Sequence, residues 1–407
     1  MLFKKYLSIT IQLVIIFSLC VLILIHLLTN IIDWYYPDSI VQIDFIKRSN
    51  LLGAIYANWA HTSIGRPGGV FWIDTWFYFS DLFNLNNLYS LLFYRSFSFF
   101  ITGLSIVFLI KYFLNLKLIF SIFVSLLIFI IFILSLGQEG LTFIWGMDLS
   151  LYVVSFVYLN LTIIFGHSVY TGNINKLNIF FLSFFYFLYL NSSYAHLVTG
   201  GLLVVILLLD NKIFYYLKNP NSLFKEFFLL RVQSNIKIKY KILIFLIFIF
   251  IISAILNLLS PSISIRENIW PSDSSFLIGI LSSLPLLEWH LLSVWGYKYL
   301  FISLLVLFII KYKKIDIKAS NTLLTFLIVL TPFLLVLTNS LAYLSSSLHI
   351  NYDDTNDNIF IFKYLVLDTD LNHASAMRHY AYYNINAILS YISLGLLMSK
   401  IKIKKDN

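Results

Sequence analysis

The sequence predicts an all-α, polytopic integral membrane protein with about ten transmembrane helices. Both termini are expected in the cytoplasm, and residues 1–407 are expected to form a single transmembrane domain. Hydrophobic residues make up 60% of the chain and charged residues only 12%, whereas soluble domains carry roughly 25% charged residues. The mean hydropathy is +0.87. So little polar surface cannot cover a water-exposed fold, and lipid is therefore the expected solvent.

Ten segments approach the ~20 apolar residues that a spanning helix needs. They lie at about 6–29, 89–110, 118–137, 145–166, 177–194, 197–211, 242–260, 292–310, 320–342 and 384–399. The first exceeds the hydrophobic region of a signal peptide and no small-residue cleavage site follows it, so we expect an uncleaved signal anchor. The apolar run 275–291 is interrupted by Pro285, Glu288 and His290. We therefore predict an interfacial or re-entrant helix there.

The orientation follows from the positions of the charged residues. With the N-terminus inside, the cytoplasmic segments carry 20 of the 28 Lys and Arg residues and four of the 19 Asp and Glu residues. The two sides then total +16 and −7, which together give the formal net charge of +9. Enrichment of Lys and Arg on the cytoplasmic side is the usual determinant of membrane topology. The excess of basic residues is thus explained by membrane topology, and no nucleic-acid partner is expected.

The predicted outer side carries the long polar segments. Its loops cover residues 30–88, 261–291 and 343–383, and they are rich in Asp, His, Arg, Trp and Tyr. Loops held by a rigid scaffold commonly carry function. We therefore expect the active face outside, which in a bacterial inner or plasma membrane is the periplasmic or extracellular side.

Candidate catalytic residues lie in the first outer loop. A carboxylate held beside the bilayer could deprotonate an acceptor hydroxyl as a general base. Asp33, Asp38 and Asp44 are the candidates, although most carboxylates in such a loop are simply solvated.

Candidate substrate-binding residues come from several outer segments. Arginine pairs well with phosphate oxygens, and aromatic rings can stack on sugars, although Trp and Tyr also form the ordinary interfacial belt. The candidates are Trp59, His61, Arg66, Arg95, Glu139, Trp145, Arg378 and His379. Arg95 lies early in the second span, so it either faces a cavity or partner or extends its head group to the interface.

Other site classes have weak support. Six of the eight histidines lie on the predicted outer side, but none has the spacing of HxxxH or HExxH. We therefore assign no cofactor, and a divalent metal is the one cofactor that the sequence leaves open. Cys20 is the only cysteine, which excludes a disulfide within the chain. Neither a glycine-rich nucleotide loop nor a GxSxG motif is present.

The first outer loop, with Asp38, Trp59 and the Gly65-Arg66 pair, resembles that of the GT-C-type membrane glycosyltransferases. The bacterial O-antigen glucosyltransferases and related membrane proteins are the most similar in this respect. The segment EGLTFIWGMDLSLY (139–152) is similar to the next outer turn of that family. HASAMRHYAYYN (373–384) resembles the arginine-bearing stretch before its last spans.

This resemblance implies a GT-C-like fold and a hexosyltransferase activity. The donor would be a polyprenyl-phosphate sugar, the acceptor a glycan or lipid, and the base an acid of the first outer loop. Asp38 would be that base, with Asp44 as its substitute. Two departures from the family pattern are that Ser39 follows Asp38 where the family has paired acids, and that SSYAH (192–196) lacks a glutamate.

Three other functions stay open at this point. A polysaccharide polymerase would elongate repeat units rather than add one sugar. A lipid or glycan flippase would require charged residues at mid-membrane and broken helices in paired halves. A non-catalytic subunit of a membrane complex would purify with partners.

Overall fold

The protein is all-α throughout the part of the chain that a computed structural model describes. That part comprises residues 43–44, 46–61, 66–114, 118–135, 149–170, 175–208, 234–269, 294–312, 324, 327–328 and 390–396. These residues are helical apart from short turns and contain no strand. The predicted fold class is confirmed to that extent.

The described helices have the following bounds. They are α1 (Leu51–His61), α2 (Pro67–Leu82), α3 (Asn87–Leu114), α4 (Leu118–Ser135), α5 (Ser155–Tyr170), α6 (Lys176–Leu190), α7 (Tyr194–Leu208), α8 (Ser234–Leu258), α9 (Ser262–Ile269) and α10 (Val294–Tyr312). A π-helical segment, Leu149–Val154, leads directly into α5. Residues 390–396 add a further helical stretch.

Several predicted spans coincide with these helices. The spans at 89–110 and 118–137 correspond to α3 and α4, and the span at 177–194 corresponds to α6. Within the described residues, the helix over Tyr89–Tyr112 is the one both long and apolar enough to cross a membrane. Shorter apolar helices cover Ser155–Val169, Lys176–Leu190, Ile242–Leu258 and Ser303–Tyr312. The predicted span at 6–29 lies outside the described residues, as does most of the one at 320–342.

Helix α3 has an apolar exposed face, whereas its polar side chains are on the buried face. Phe93, Phe97, Phe100, Leu104 and Phe108 are 38–62% exposed. The buried side of the helix combines polar residues with apolar ones. The polar residues are Ser90, Tyr94, Arg95, Ser98, Thr102 and Ser105, and the apolar ones include Leu91, Phe99, Ile106, Leu109 and Ile110. A helix at the surface of a water-soluble protein instead exposes charged and polar residues.

Helices α3, α5 and α6 meet at the end of the bundle where α3 and α6 carry lysines. The Tyr112 hydroxyl of α3 lies 3.0 Å from Nδ1 of His167 near the end of α5. At the same end, the Asn178 amide of α6 donates to the Ser168 hydroxyl of α5 at 3.5 Å. Lys111 lies in the last turn of α3 and Lys176 begins α6. Helix α3 therefore runs parallel to α5, and α6 runs antiparallel to both.

The apolar core lies between α5, α6, α7 and α8. Its buried members are Val169, Leu182, Tyr186, Leu190, Leu197, Val204, Leu243, Leu246 and Ile249. In a water-soluble protein, burying one such side chain contributes about 1.5–3 kcal/mol to the free energy of folding. Between lipid-embedded helices the contribution comes instead from close packing and interhelical hydrogen bonds.

Helices α1 and α2 belong to the predicted first outer loop and pack at the end opposite these lysines. The Asn50 side chain accepts from the Gly53 backbone N–H at 2.8 Å and so caps the start of α1. Pro67 occupies the first turn of α2, where a missing N–H has no cost. Helix α2 packs against α1, α3, α6 and the π-helical segment, and this packing creates the site described next.

Candidate functional site

Buried polar side chains are concentrated where α1 and α2 cover the ends of α3, α6 and α8. Residues there that are at most 9% exposed include Asn58, Arg66, Asp74, Arg95, Ser98, Ser150, Asn191, Ser253 and Asn257. Buried polar groups are costly unless they are hydrogen-bonded. Their number at one end of the bundle marks this end as the candidate site.

Asp74 and Asn58 form the contact between α2 and α1. Both side chains are completely buried. The Asn58 amide donates to Oδ2 of Asp74 at 3.1 Å and also to the Ala54 carbonyl oxygen at 3.1 Å. Oδ1 of Asp74 has no hydrogen-bond partner among the described residues. Burial raises the pKa of Asp74 to about 7, although the hydrogen bond from Asn58 acts in the opposite direction.

On the other side of α2, aromatic and hydroxyl groups connect it to α3. The Trp72 indole donates to the Ser98 hydroxyl at 2.7 Å, and Ser98 donates to the Tyr94 carbonyl at 2.7 Å. The Trp76 indole donates to the Ser90 carbonyl at 2.9 Å. These indoles are therefore part of the packing between the outer loop and the first long helix.

Asn191, at the end of α6, connects three elements. Its carbonyl oxygen accepts from the Gly68 N–H of α2 at 3.0 Å. Its side-chain amide donates to the Ser253 hydroxyl of α8 at 2.9 Å, and its Oδ1 accepts from Asn257 at 3.1 Å. The start of α2 is thereby fixed to the parallel pair α6 and α8.

Helix α1 is fixed to α8 by Trp59. Its indole donates to the Leu256 carbonyl at 3.1 Å, and its own carbonyl accepts from the Ser260 hydroxyl at 2.9 Å. Trp59 was predicted to line a sugar pocket. In the structure it is half-buried and holds α1 in place.

The described arginines and His61 of the predicted site have contrasting environments. Arg66 is 9% exposed and directly precedes α2, while Arg95 is 5% exposed on α3. Arg95 therefore lies inside the protein rather than extending to the interface. His61 is exposed at the end of α1 and makes an edge contact with Tyr56.

Among the predicted carboxylates, Asp44 is exposed and forms an ion pair with Arg48 at 3.8 Å. An exposed pair at this spacing contributes about 0.3–0.5 kcal/mol. The other predicted site residues, Asp33, Asp38, Glu139, Trp145, Arg378 and His379, lie outside the described residues.

The sequence-based prediction missed Asp74, Asn58, Asn191 and Asn257 as members of this site. Asp74 had one usable signal, because it is a carboxylate within the otherwise apolar stretch VFWIDTWFYF. Such a residue faces protein or water in a membrane environment. The asparagines gave no comparable signal, since isolated amides are common at helix ends.

A metal site finds no support in the described part of the chain. No group of three or more His, Cys, Asp or Glu side chains comes together there. No protein-family model matches the chain, and no curated protein or solved structure is significantly similar to it. The function therefore has to be inferred from the residues of the site.

Proposed function

We propose that this chain is a multi-pass membrane glycosyltransferase that binds its donor and acceptor at the outer face of the membrane. It transfers a sugar from a polyprenyl-phosphate donor to a glycan or lipid acceptor. The observation that carries the proposal is the burial of two arginines on elements that pack together: Arg66 directly precedes α2, and Arg95 lies on α3, against which α2 packs.

Lipid surroundings are supported by the exposed surface of the helices. Helix α8 repeats the arrangement of α3, with Phe248, Ile251 and Ile255 each 49–57% exposed while Ser253 and Asn257 are buried. Two helices that expose large apolar side chains and bury their polar ones fit a bundle solvated by acyl chains. The ten-span topology with both termini inside extends this pattern to the rest of the chain.

The outer face is supported by the separation of charges along the bundle. Lys111 and Lys176 lie at one end, and α1 and α2 pack at the other. Lysine-rich ends remain in the cytoplasm. The site with Arg66 and Arg95 then faces outward.

The chemistry follows from the residue types. Arg66, Arg95 and Arg378 bind the anionic phosphates of the donor through charge-assisted hydrogen bonds. Asp38 removes the proton of the acceptor hydroxyl, with Asp44 and Asp33 as the other candidates for the base. Trp59, His61, Glu139, Trp145 and His379 complete the sugar-binding region in this proposal.

Replacing Arg66 by glutamine tests the phosphate-binding role. Losing hydrogen bonds to a charged group costs about 1.5–3 kcal/mol, so we expect sugar transfer to fall by about 10- to 100-fold. Transfer is measured in membranes containing the chain, with a panel of labelled polyprenyl-phosphate hexoses as donors.

The matched control is Arg48→Gln, because Arg48 belongs to the same loop and its side chain is 81% exposed. This variant should transfer sugar at a rate within about twofold of that of the unmodified chain, as expected when an exposed ion pair is lost. Equal activity of Arg66→Gln and the control would remove Arg66 from the donor site. Absence of transfer from every donor with the unmodified chain would contradict the proposed function itself.

A further inference from the structure

Asp74 is a buried carboxyl group with a single described hydrogen-bond donor. It lies on α2, in the segment between the first two predicted spans, and is completely buried. A single neutral donor, the Asn58 amide, reaches its Oδ2. That amide nitrogen also serves the Ala54 carbonyl. A carboxylate held in this way would lack the several donors that normally stabilise a buried negative charge.

The polar groups around Asp74 come from α1, α3 and the π-helical segment. Asn58 faces it from α1, and Tyr94 of α3 is near enough to feel its charge. The Tyr94 hydroxyl also interacts with Ser150 of the π-helical segment and with Tyr158 of α5. The buried cations on these elements are Arg66 and Arg95, but burial and the Asn58 hydrogen bond are the influences that set the protonation of Asp74.

We propose that Asp74 is a proton-binding site that couples the packing of α1 and α2 to pH. At acidic pH the carboxyl holds a proton, and α1 remains closed over α2 through the Asn58 contact. Loss of the proton leaves a buried charge that the single hydrogen bond from Asn58 does not offset, so α1 separates from α2 and water reaches the carboxylate. The first outer loop is therefore tightly packed in acidic surroundings and opens more often in alkaline ones.

The direction of the pH effect follows from linkage. Burial raises the pKa of Asp74 from 3.8 to about 7 in the closed form. An opened form, with Asp74 in water, has the lower value. Closed α1–α2 packing thus binds more protons between these values, and its stability is greatest at low pH and is lost as the pH rises through 7.

Hydrogen exchange of the full chain in lipid nanodiscs tests this inference. After correction for intrinsic rates, protection of α1 and α2 should fall about tenfold between pH 6 and pH 8. Protection of α6 should change much less. Asp74→Asn should abolish this pH dependence, because its side chain cannot ionise.

The matched control is Asp81→Asn, since Asp81 lies on the same helix and is exposed. This variant should keep the tenfold change of the unmodified chain. Infrared spectra of the unmodified chain give a second measurement that needs no variant, because a protonated carboxyl has its own carbonyl band. A band present at pH 6 and lost above pH 8 supports the inference. Its absence at pH 6, or an unchanged pH dependence in Asp74→Asn, would overturn it, whatever the outcome of the sugar-transfer assay.

Discussion

Replacing Gly68 by alanine is expected to destabilise the protein by about 3 kcal/mol or more, at the upper end of what overpacking costs. A Cβ at this position would overlap the Leu188 carbonyl oxygen and come within 2.9 Å of the Asn191 carbonyl carbon. Both are backbone atoms at the end of α6 and cannot rotate away. The start of α2 would have to move, and the hydrogen bond from the Gly68 N–H to Asn191 would be lost.

The measurement is thermal or denaturant unfolding in a mild detergent, with Gly103→Ala as the matched control. Gly103 lies within α3, and nothing approaches the position of an added Cβ within 4 Å. Alanine is favoured over glycine in a helix interior, so the control should stabilise the protein by up to about 1 kcal/mol. Equal stability of Gly68→Ala and the unmodified chain would show that α2 does not pack on α6 as described.

Replacing the proposed catalytic base, Asp38, has the largest effect expected on activity. Asp38→Asn should lower sugar transfer by about 10²- to 10⁴-fold, the usual contribution of a positioned general base. Asparagine preserves the shape of the side chain but cannot accept the proton. Transfer of labelled sugar in membranes, normalised to the amount of protein, gives the comparison.

Asp44→Asn and Asp33→Asn distinguish the candidates, and Asp81→Asn provides a control because Asp81 is an exposed carboxylate of the same loop. A large loss in Asp44→Asn or Asp33→Asn alone would move the role of base to that residue. Full activity in Asp38→Asn, Asp44→Asn and Asp33→Asn would exclude these carboxylates of the first loop as the base.

The positions of the helices were largely predictable from the sequence. Helix α3 begins at Asn87 and includes the predicted span 89–110, and α4 begins at the predicted residue, Leu118. Long apolar runs leave little choice, because a helix satisfies its backbone hydrogen bonds internally. The predicted span 145–166 was less accurate, since its described part starts with a π-helical turn, Leu149–Val154. Hydropathy does not report such a local change of helical geometry.

The candidate site was predictable only in part. Arg66 and Arg95 could be selected because charges near apolar segments are costly. The contact between Asn58 and Asp74 bridges 16 positions, and that between Asn191 and Asn257 bridges 66. Such pairs depend on how separate helices dock. The sequence also gave no sign that Gly68 lies against the backbone of α6.

The central claim is that the site faces outward and the lysine-bearing ends face the cytoplasm. Cysteine labelling in sealed, right-side-out membrane vesicles tests it directly, because Cys20 is the only native cysteine and can be replaced. In a Cys20→Ser background, Arg48→Cys reports on the first outer loop and Lys311→Cys on the last turn of α10; both positions are exposed. We expect a membrane-impermeant maleimide to label Arg48→Cys in sealed vesicles and Lys311→Cys only after detergent is added. Labelling of Lys311→Cys in sealed vesicles, with Arg48→Cys protected, would contradict the proposed topology and the location of the site.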